Sequence, residues 1–222
     1  MVDVLRASTT LVTLVERGCG PILVAPTVAA ARRAAARDSA GGLRPLLIGE
    51  EGGLAPAGFD YGNSPVEFTA APVAGRAVVF ASTNGAPALY AAAAAGAVLV
   101  GCLRNAGVAA RAAWEAAGEA GAITILCAGR AENPGGFTID DLHTAGVLVH
   151  RLTELGPVRP TEWAEVARLV AAAEPDPLPV LRRCAAGQAV IRLGLERDVT
   201  YAATVDASDA VPRLGVHLRL TE

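Results

Sequence analysis

An α/β fold, with a mostly parallel sheet covered by helices on both faces and a smaller helix-rich C-terminal region, is predicted by three features of the sequence. Strand-length apolar runs alternate with alanine-rich helical segments on the scale of βα units. The runs are continuously apolar rather than alternating, as strands buried on both faces are. Several of them end in a small polar turn that opens a helix, and in such sheets ligands collect at the carboxyl ends of the strands. The whole of 1–222 is read as one domain, with 160–222 as a helical sub-lobe on it.

The first element carries the chemistry. Val2-Asp3-Val4-Leu5-Arg6-Ala7-Ser8-Thr9-Thr10 reads as a strand, a tight turn and a helix N-terminus. Free backbone N–H groups and the positive end of the helix dipole suit an anion there, and Arg6 adds a planar fork for phosphate oxygens. Asp3 at the strand end is placed to hold a metal or attack phosphorus. The local alternative is a Ser/Thr helix cap with an incidental ion pair, which only the rest of the chain can decide.

The first helix should end near Gly18. Pro21-Ile22-Leu23-Val24-Ala25 then reads as a buried strand, and Thr27 caps an Ala/Arg-rich helix. Pro45–Gly49 is the next strand, delivering Glu50 and Glu51 to its end. Gly52–Pro65 is rich in Gly and Pro and reads as an irregular loop carrying Asp60, Asn63 and Ser64, of a length that usually marks function or disorder. The strand Arg76–Ala81 runs into Ser82-Thr83-Asn84-Gly85 and an alanine-rich helix, repeating the opening motif. Ala97–Gly101, followed by a helix from about Asn105, and Ile123–Gly129 are read as further strands. Phe137–Leu142 reads as a helix start with Thr138 as cap and Asp140 and Asp141 in the first turn, where dipole stabilisation is their bland explanation. From Pro160 onward helices dominate, broken by Pro175, Pro177 and Pro179, with short strands expected at Val199–Ala202 and Val216–Leu220.

Composition excludes several classes. A net charge of −3 gives no reason to expect nucleic acid or an anionic membrane, and no apolar run is long enough to span a bilayer. No signal-peptide pattern opens the chain, so a cytoplasmic location is expected. All 19 basic residues are arginine, which removes the phosphate lysine of P-loops and Schiff-base chemistry together. Cys19, Cys102, Cys127 and Cys184 sit far apart in apolar surroundings and read as buried reduced thiols. His143, His150 and His217 lack metal-ligand spacing.

The polar turns, in order, are Asp3–Thr10, Gly49-Glu50, Gly58-Phe59-Asp60-Tyr61-Gly62-Asn63-Ser64-Pro65, Thr83-Asn84-Gly85, Cys127-Ala128-Gly129, and Phe137–Asp141 with Ala145-Gly146. This ordered set resembles the 2-phosphosulfolactate phosphatase family over nearly the whole chain. The resemblance implies an unusual α/β fold and a magnesium-dependent phosphatase acting on a small sulfonated phospho-hydroxy acid on the route to coenzyme M. The substrate it implies is 2-phospho-3-sulfolactate, cleaved to 3-sulfolactate and phosphate. Ser8 stands where the family has Thr, Ala86 replaces a usual Thr, and Asp140 shortens the family's Glu-Asp pair. Family members carry a strand and more residues ahead of the Asp3 motif, whereas this chain begins almost on it, leaving a truncated start and a frayed first strand as open readings.

Independently of the family, a phosphomonoester dianion needs oxygen-ligated Mg²⁺, donors for its oxygens, and an attacking carboxylate or positioned water. On both grounds Asp3, Arg6 and Asp60 are assigned to catalysis. Ser8, Thr9, Asn63, Ser64, Asn84, Gly85 and Arg130 are assigned to substrate binding, and Glu50, Asp140 and Asp141 to the metal. Which acid serves which end stays open at this level. Arg6, Arg104 and Arg130 at strand ends are expected to favour a multiply anionic substrate. The partner expected is a small anion, with no nucleic acid or membrane, and with a homodimer among the open assemblies. The alternatives are a family phosphatase for another phospho-hydroxy acid, a non-catalytic anion-binding regulator, and a dinucleotide enzyme, the last disfavoured because no Gly-x-Gly-x-x-Gly follows a strand.

Overall fold

A computed structural model describes residues 1–38, 43–118, 121–130 and 137–221. Strands β1 (Ile22–Ala25), β2 (Leu46–Gly49), β3 (Val78–Ala81) and β4 (Leu218–Leu220) pair in parallel in the order β2-β3-β1-β4. Side-chain alternation sorts each strand onto two faces. Ile22, Val24, Ile48, Val78 and Phe80 enter the main core with Leu11 and Leu14 of α1 (Ala7–Glu16). Leu23, Ala25, Leu47, Val79 and Ala81 meet Ala31 and Ala35 of α2 (Val28–Asp38) on the other face. Phe80 and Ile48 are wholly buried, which stabilises by roughly 1.5–3 kcal/mol each. The α/β architecture with two covered faces is the expected one.

Local signals hold where expected. Gly18 adopts φ +69° just past α1, and the Thr27 Oγ1 accepts the Ala30 N–H at 3.1 Å to start α2. After β3 come α3 (Gly85–Ala92) and α4 (Ala106–Ala117). The C-terminal part is α5 (Ile139–Leu155), α6 (Glu162–Ala173), α7 (Pro177–Arg183), α8 (Ala185–Arg192) and α9 (Glu196–Ala202). Helices α5 and α6 meet at Gly146, where a Cβ would collide with the Ala167 carbonyl. Val180, Leu181, Val190, Val199 and Ala202 bury into the same core cluster as the sheet. No described helix is long and apolar enough to cross a membrane.

Five strand expectations change, the first being the opening strand at Val2-Asp3, which is reduced to a single bridge between Val2 and Cys127. Ala97–Gly101 and Ile123–Gly129 do not form named strands: they are bridged through Met1 and Val2, with Gly101 N–H donating to Met1 O, Val2 N–H to Leu126 O and Ala128 N–H to Val2 O. The pairing is confined to the isolated bridges Val2–Cys127 and Leu99–Arg213 and these hydrogen bonds. The same hydrogen bonds hold the opening segment in place rather than frayed. The predicted strand Val199–Ala202 lies instead in α9, because acids at Glu196 and Asp198 favour a helix start and the buried pair Val199 and Ala202 follows an i, i+3 spacing. The last strand is shortened to Leu218–Leu220, since Val216 and His217 are taken into a turn closed on Arg213.

Candidate active site

A cleft of about 270 Å³ opens at the carboxyl ends of β2 and β3, bordered by the Asp3 turn, the 129–130 segment and the start of α5. Asp3, Arg6, Glu50, Asn63, Asn84, Arg130, Asp140 and Asp141 all line it. Eight predicted site residues from six separate stretches of sequence thus converge on one place. A larger groove of about 720 Å³ beside Met1 and Val2 is lined mostly by alanines and aliphatic residues, with no ionisable side chain among the described residues.

The local sequence explains each placement. Asp3 follows the Val2 bridge, and its Oδ1 accepts the Ala7 N–H at 3.3 Å, which ties it to the start of α1. Its Oδ2 faces Gly85, the first residue of α3; a Cβ there would stand 2.8 Å from that oxygen and 2.5 Å from the Ala7 Cβ. Glycine at this position is what lets α3 approach Asp3. Glu50 hangs from the end of β2 with both oxygens on backbone donors, Gly53 N–H at 2.9 Å and Thr83 N–H at 2.6 Å. Asp141 accepts the Val4 N–H at 2.9 Å and the Gly129 N–H at 3.2 Å, clamping the first turn to the 127–129 segment. Asp140 is buried with its Oδ1 unpartnered among the described residues. The wall from Ala186, Ala189, Val190 and Leu193 of α8 and its end is apolar.

Burial and mutual repulsion show in the carboxyls. Burial pushes Asp3 up to about 7, with Asp140 and Glu50 adding repulsion while the Ala7 N–H and Arg6 pull back. Asp141 is raised well above the usual range by burial and by Asp3 and Asp140, and Asp140 is raised, again chiefly by burial. A carboxyl raised in the fold holds a proton that the unfolded chain has released, so its contribution to stability is present at low pH and is lost as pH climbs from near 3.8 to about 7. In chelator, the wild-type melting temperature relative to Asp3→Asn is therefore expected to fall over that window; a flat or rising difference would contradict the placement of Asp3.

The donor set also bears on Mg²⁺. No three described His, Cys, Asp or Glu side chains close around one point as a ready-made cage. Mg²⁺ does not require one, since it keeps several waters and takes one or two carboxylates plus substrate phosphate oxygens. The unpartnered Asp140 oxygen, among carboxyls that repel one another, fits such a cation, and every candidate ligand is a hard oxygen.

Other predicted residues lie elsewhere. Asp60 is turned outward onto Arg44, at 2.6 and 3.0 Å, and accepts the Leu47 N–H at 2.8 Å; burial alone would raise its pKa, but these bonds outweigh it and hold the carboxyl below its usual value. It pins the loop to β2 and does not line the cleft. Ser8 and Thr9 return their hydroxyls to the Asp3 and Val4 carbonyls at 2.8 Å, shaping the turn from behind. Ser64 donates to Asp198 at 2.6 Å. Arg104 stacks 3.8 Å from the Tyr201 ring centre and bonds Thr204, so it cannot serve the substrate. Thr138 occupies the N-cap position of α5 without a side-chain capping bond. Sequence reasoning missed Gly53, whose carbonyl accepts from Arg6, and Asp198, 3.1 Å from the Arg6 Nη1. Nothing local marks Asp198, which lies beside a stretch that reads as a strand.

Comparison with known proteins gives the family. The profile of the 2-phosphosulpholactate phosphatase family matches residues 1–216. The chain is similar to proteins named probable 2-phosphosulfolactate phosphatase from Thermus thermophilus, 45% identical over 215 residues, and Deinococcus radiodurans, 41% identical over 215 residues; each alignment covers 96% of this chain and 86% of the relative. A third, from Gloeobacter violaceus, bears the same name at 35% identity over 212 residues, with the same coverage. The matched span contains every cleft residue, and the chain belongs to the 2-phosphosulfolactate phosphatase family of phosphoric monoester hydrolases.

Proposed function

We propose that the protein hydrolyses 2-phospho-3-sulfolactate to 3-sulfolactate and orthophosphate with Mg²⁺ as cofactor. The observation that carries this reading is the joining of Asp3, Arg6, Glu50, Asp140 and Asp141 in one cleft at the strand ends, beside the N-terminus of α3. Arg6 and the backbone donors around Asn84 and Gly85 meet the phosphoryl oxygens, and Arg130 meets the second anionic group. Asp3 acts on the reacting phosphoryl group: the bond from phosphorus to the hydroxy-acid oxygen breaks as an oxygen of water, or of Asp3 in an aspartyl phosphate that water then hydrolyses, bonds in line, and in the balance water gives its hydroxyl to phosphorus and its proton to the released alkoxide. Asp140 leads cation binding, with Glu50 and Asp141 as further carboxylates whose oxygens already hold backbone N–H groups. Bound there, Mg²⁺ would neutralise phosphoryl charge and orient the group for displacement. The apolar α8 wall keeps bulk water from competing. The free thiols Cys19, Cys102, Cys127 and Cys184 support a reducing, cytoplasmic setting.

The test is phosphate release from 2-phospho-3-sulfolactate against a neutral phospho-alcohol of similar size. A desolvated charge-assisted contact contributes about 1.5–3 kcal/mol, so kcat/KM is expected to favour the sulfonated substrate by roughly 10- to 200-fold. Equal turnover of the two would refute the assigned substrate. A regulator that binds anions without turnover is not favoured, because four carboxylates around one cleft weaken a pure anion binder.

A further inference from the structure

We propose that Asp198, carried by α9 outside the cleft, is a positioning residue that holds the Arg6 guanidinium in register with the phosphate site. Asp198 and Arg6 are 1% and 5% exposed and lie 3.1 Å apart, Asp198 Oδ2 to Arg6 Nη1. The other Asp198 oxygen accepts the Ser64 hydroxyl at 2.6 Å. From its far end, Arg6 Nη2 donates to the Gly53 carbonyl, and the Gly53 N–H returns to Glu50 at 2.9 Å. Ser64, Asp198, Arg6, Gly53 and Glu50 thus form one hydrogen-bonded chain from behind the cleft into its carboxylate cluster. A guanidinium bonded through both Nη atoms is held against swinging, which fixes where its remaining donors point. A buried ion pair is a weak source of stability in itself, since desolvating both charges offsets their attraction. What this pair supplies is orientation, and Asp198 has no access to the cleft for any direct part. The anion site is therefore completed by the C-terminal helices, α9 fixing Arg6 while α8 walls the cleft. Ser64, in the Gly-Asn-Ser-Pro turn, serves Asp198 rather than substrate.

The inference rests on the reading of Arg6 as a phosphate ligand, and its test separates the two. Asp198→Asn, Ser64→Ala and Arg6→Lys, with the double variant Arg6→Lys/Asp198→Asn, are compared with the wild-type protein for kcat and KM on 2-phospho-3-sulfolactate, orthophosphate affinity by calorimetry, and melting temperature. Asp198→Asn is expected to lower kcat/KM about 100-fold, as a displaced binding group does, with weaker orthophosphate binding. Ser64→Ala should move both readouts the same way by less. In the Arg6→Lys background the Asp198 change should add little, because one residue acts through the other. A lowered melting temperature with kcat/KM and phosphate affinity within about twofold of wild type, or effects that multiply in the double variant, overturns the positioning role. If Asp198→Asn does not fold, Ser64→Ala decides by the same readouts. If wild type binds orthophosphate but leaves phosphosulfolactate intact, the substrate assignment fails and Asp198 is judged on phosphate affinity.

Discussion

Asp3→Asn is expected to lower phosphate release by about four orders of magnitude while leaving the fold intact, the size of effect that follows removal of an essential carboxylate from a catalytic group acting as a unit. The variant keeps shape and the acceptor for the Ala7 N–H, so the start of α1 stays anchored. Stability should not fall. Asp3 sits among carboxyls that push its pKa up to about 7, so above that pH a neutral side chain relieves repulsion and the melting temperature should hold or rise. A residue that only shaped the turn would give the reverse: a loss of roughly 0.5–2 kcal/mol in stability with near-normal turnover. Rapid-quench mass spectrometry of the wild type then assigns the role. An acid-stable phosphate adduct on Asp3 marks a nucleophile; absence of adduct with weakened Mg²⁺ affinity in Asp3→Asn marks a ligand.

Excess chelator is expected to reduce turnover at least about 10³-fold, with Mg²⁺ or Mn²⁺ restoring it, because the cation's several kcal/mol of charge stabilisation would be lost. Four carboxylates line a cleft with Arg6 and Arg130 as its only described cations, and Arg6 is already paired with Asp198. A phosphate dianion entering that field meets repulsion of about 4 kcal/mol per unit charge pair at 4 Å, taking an effective dielectric near 20. Zn²⁺ is not expected to substitute as a tightly held ion, since no thiol or imidazole lines the cleft among the described residues. Full activity in chelator would remove the metal from the mechanism and leave Asp140 without its assigned part.

Much of the architecture is local and was therefore legible. Continuous apolar runs such as Ile22–Ala25 and Val78–Ala81 can satisfy themselves only as strands buried on both faces, and Thr27 and Gly18 mark helix ends by their own backbone chemistry. The same locality explains the errors: Val199–Ala202 has strand-like residues, but burial against the other C-terminal helices made it part of α9. Strands expected at 97–101 and 123–129 depend on partners far away in the chain, Arg213 for Leu99 and Val2 for Cys127, which no window of sequence contains.

For the site, the motifs determined which turns would bear charge, because a strand end followed by a helix N-terminus presents its side chains and N–H groups together wherever it occurs. Asp3, Arg6, Glu50 and Asn84 were read in this way, and Asp141 as a first-turn acid of a capped helix start; all five line the cleft. What each charge does was decided only by the tertiary structure. Asp60 has the same chemistry as Asp140, yet Arg44 draws it to the outer surface while Asp140 is buried with an oxygen unpartnered among the described residues. Asp198 reaches Arg6 across 192 residues of chain. Pairing at that range depends on chain topology and on the closure of every loop between, so the carboxylate that holds Arg6 carries no signature in its own neighbourhood.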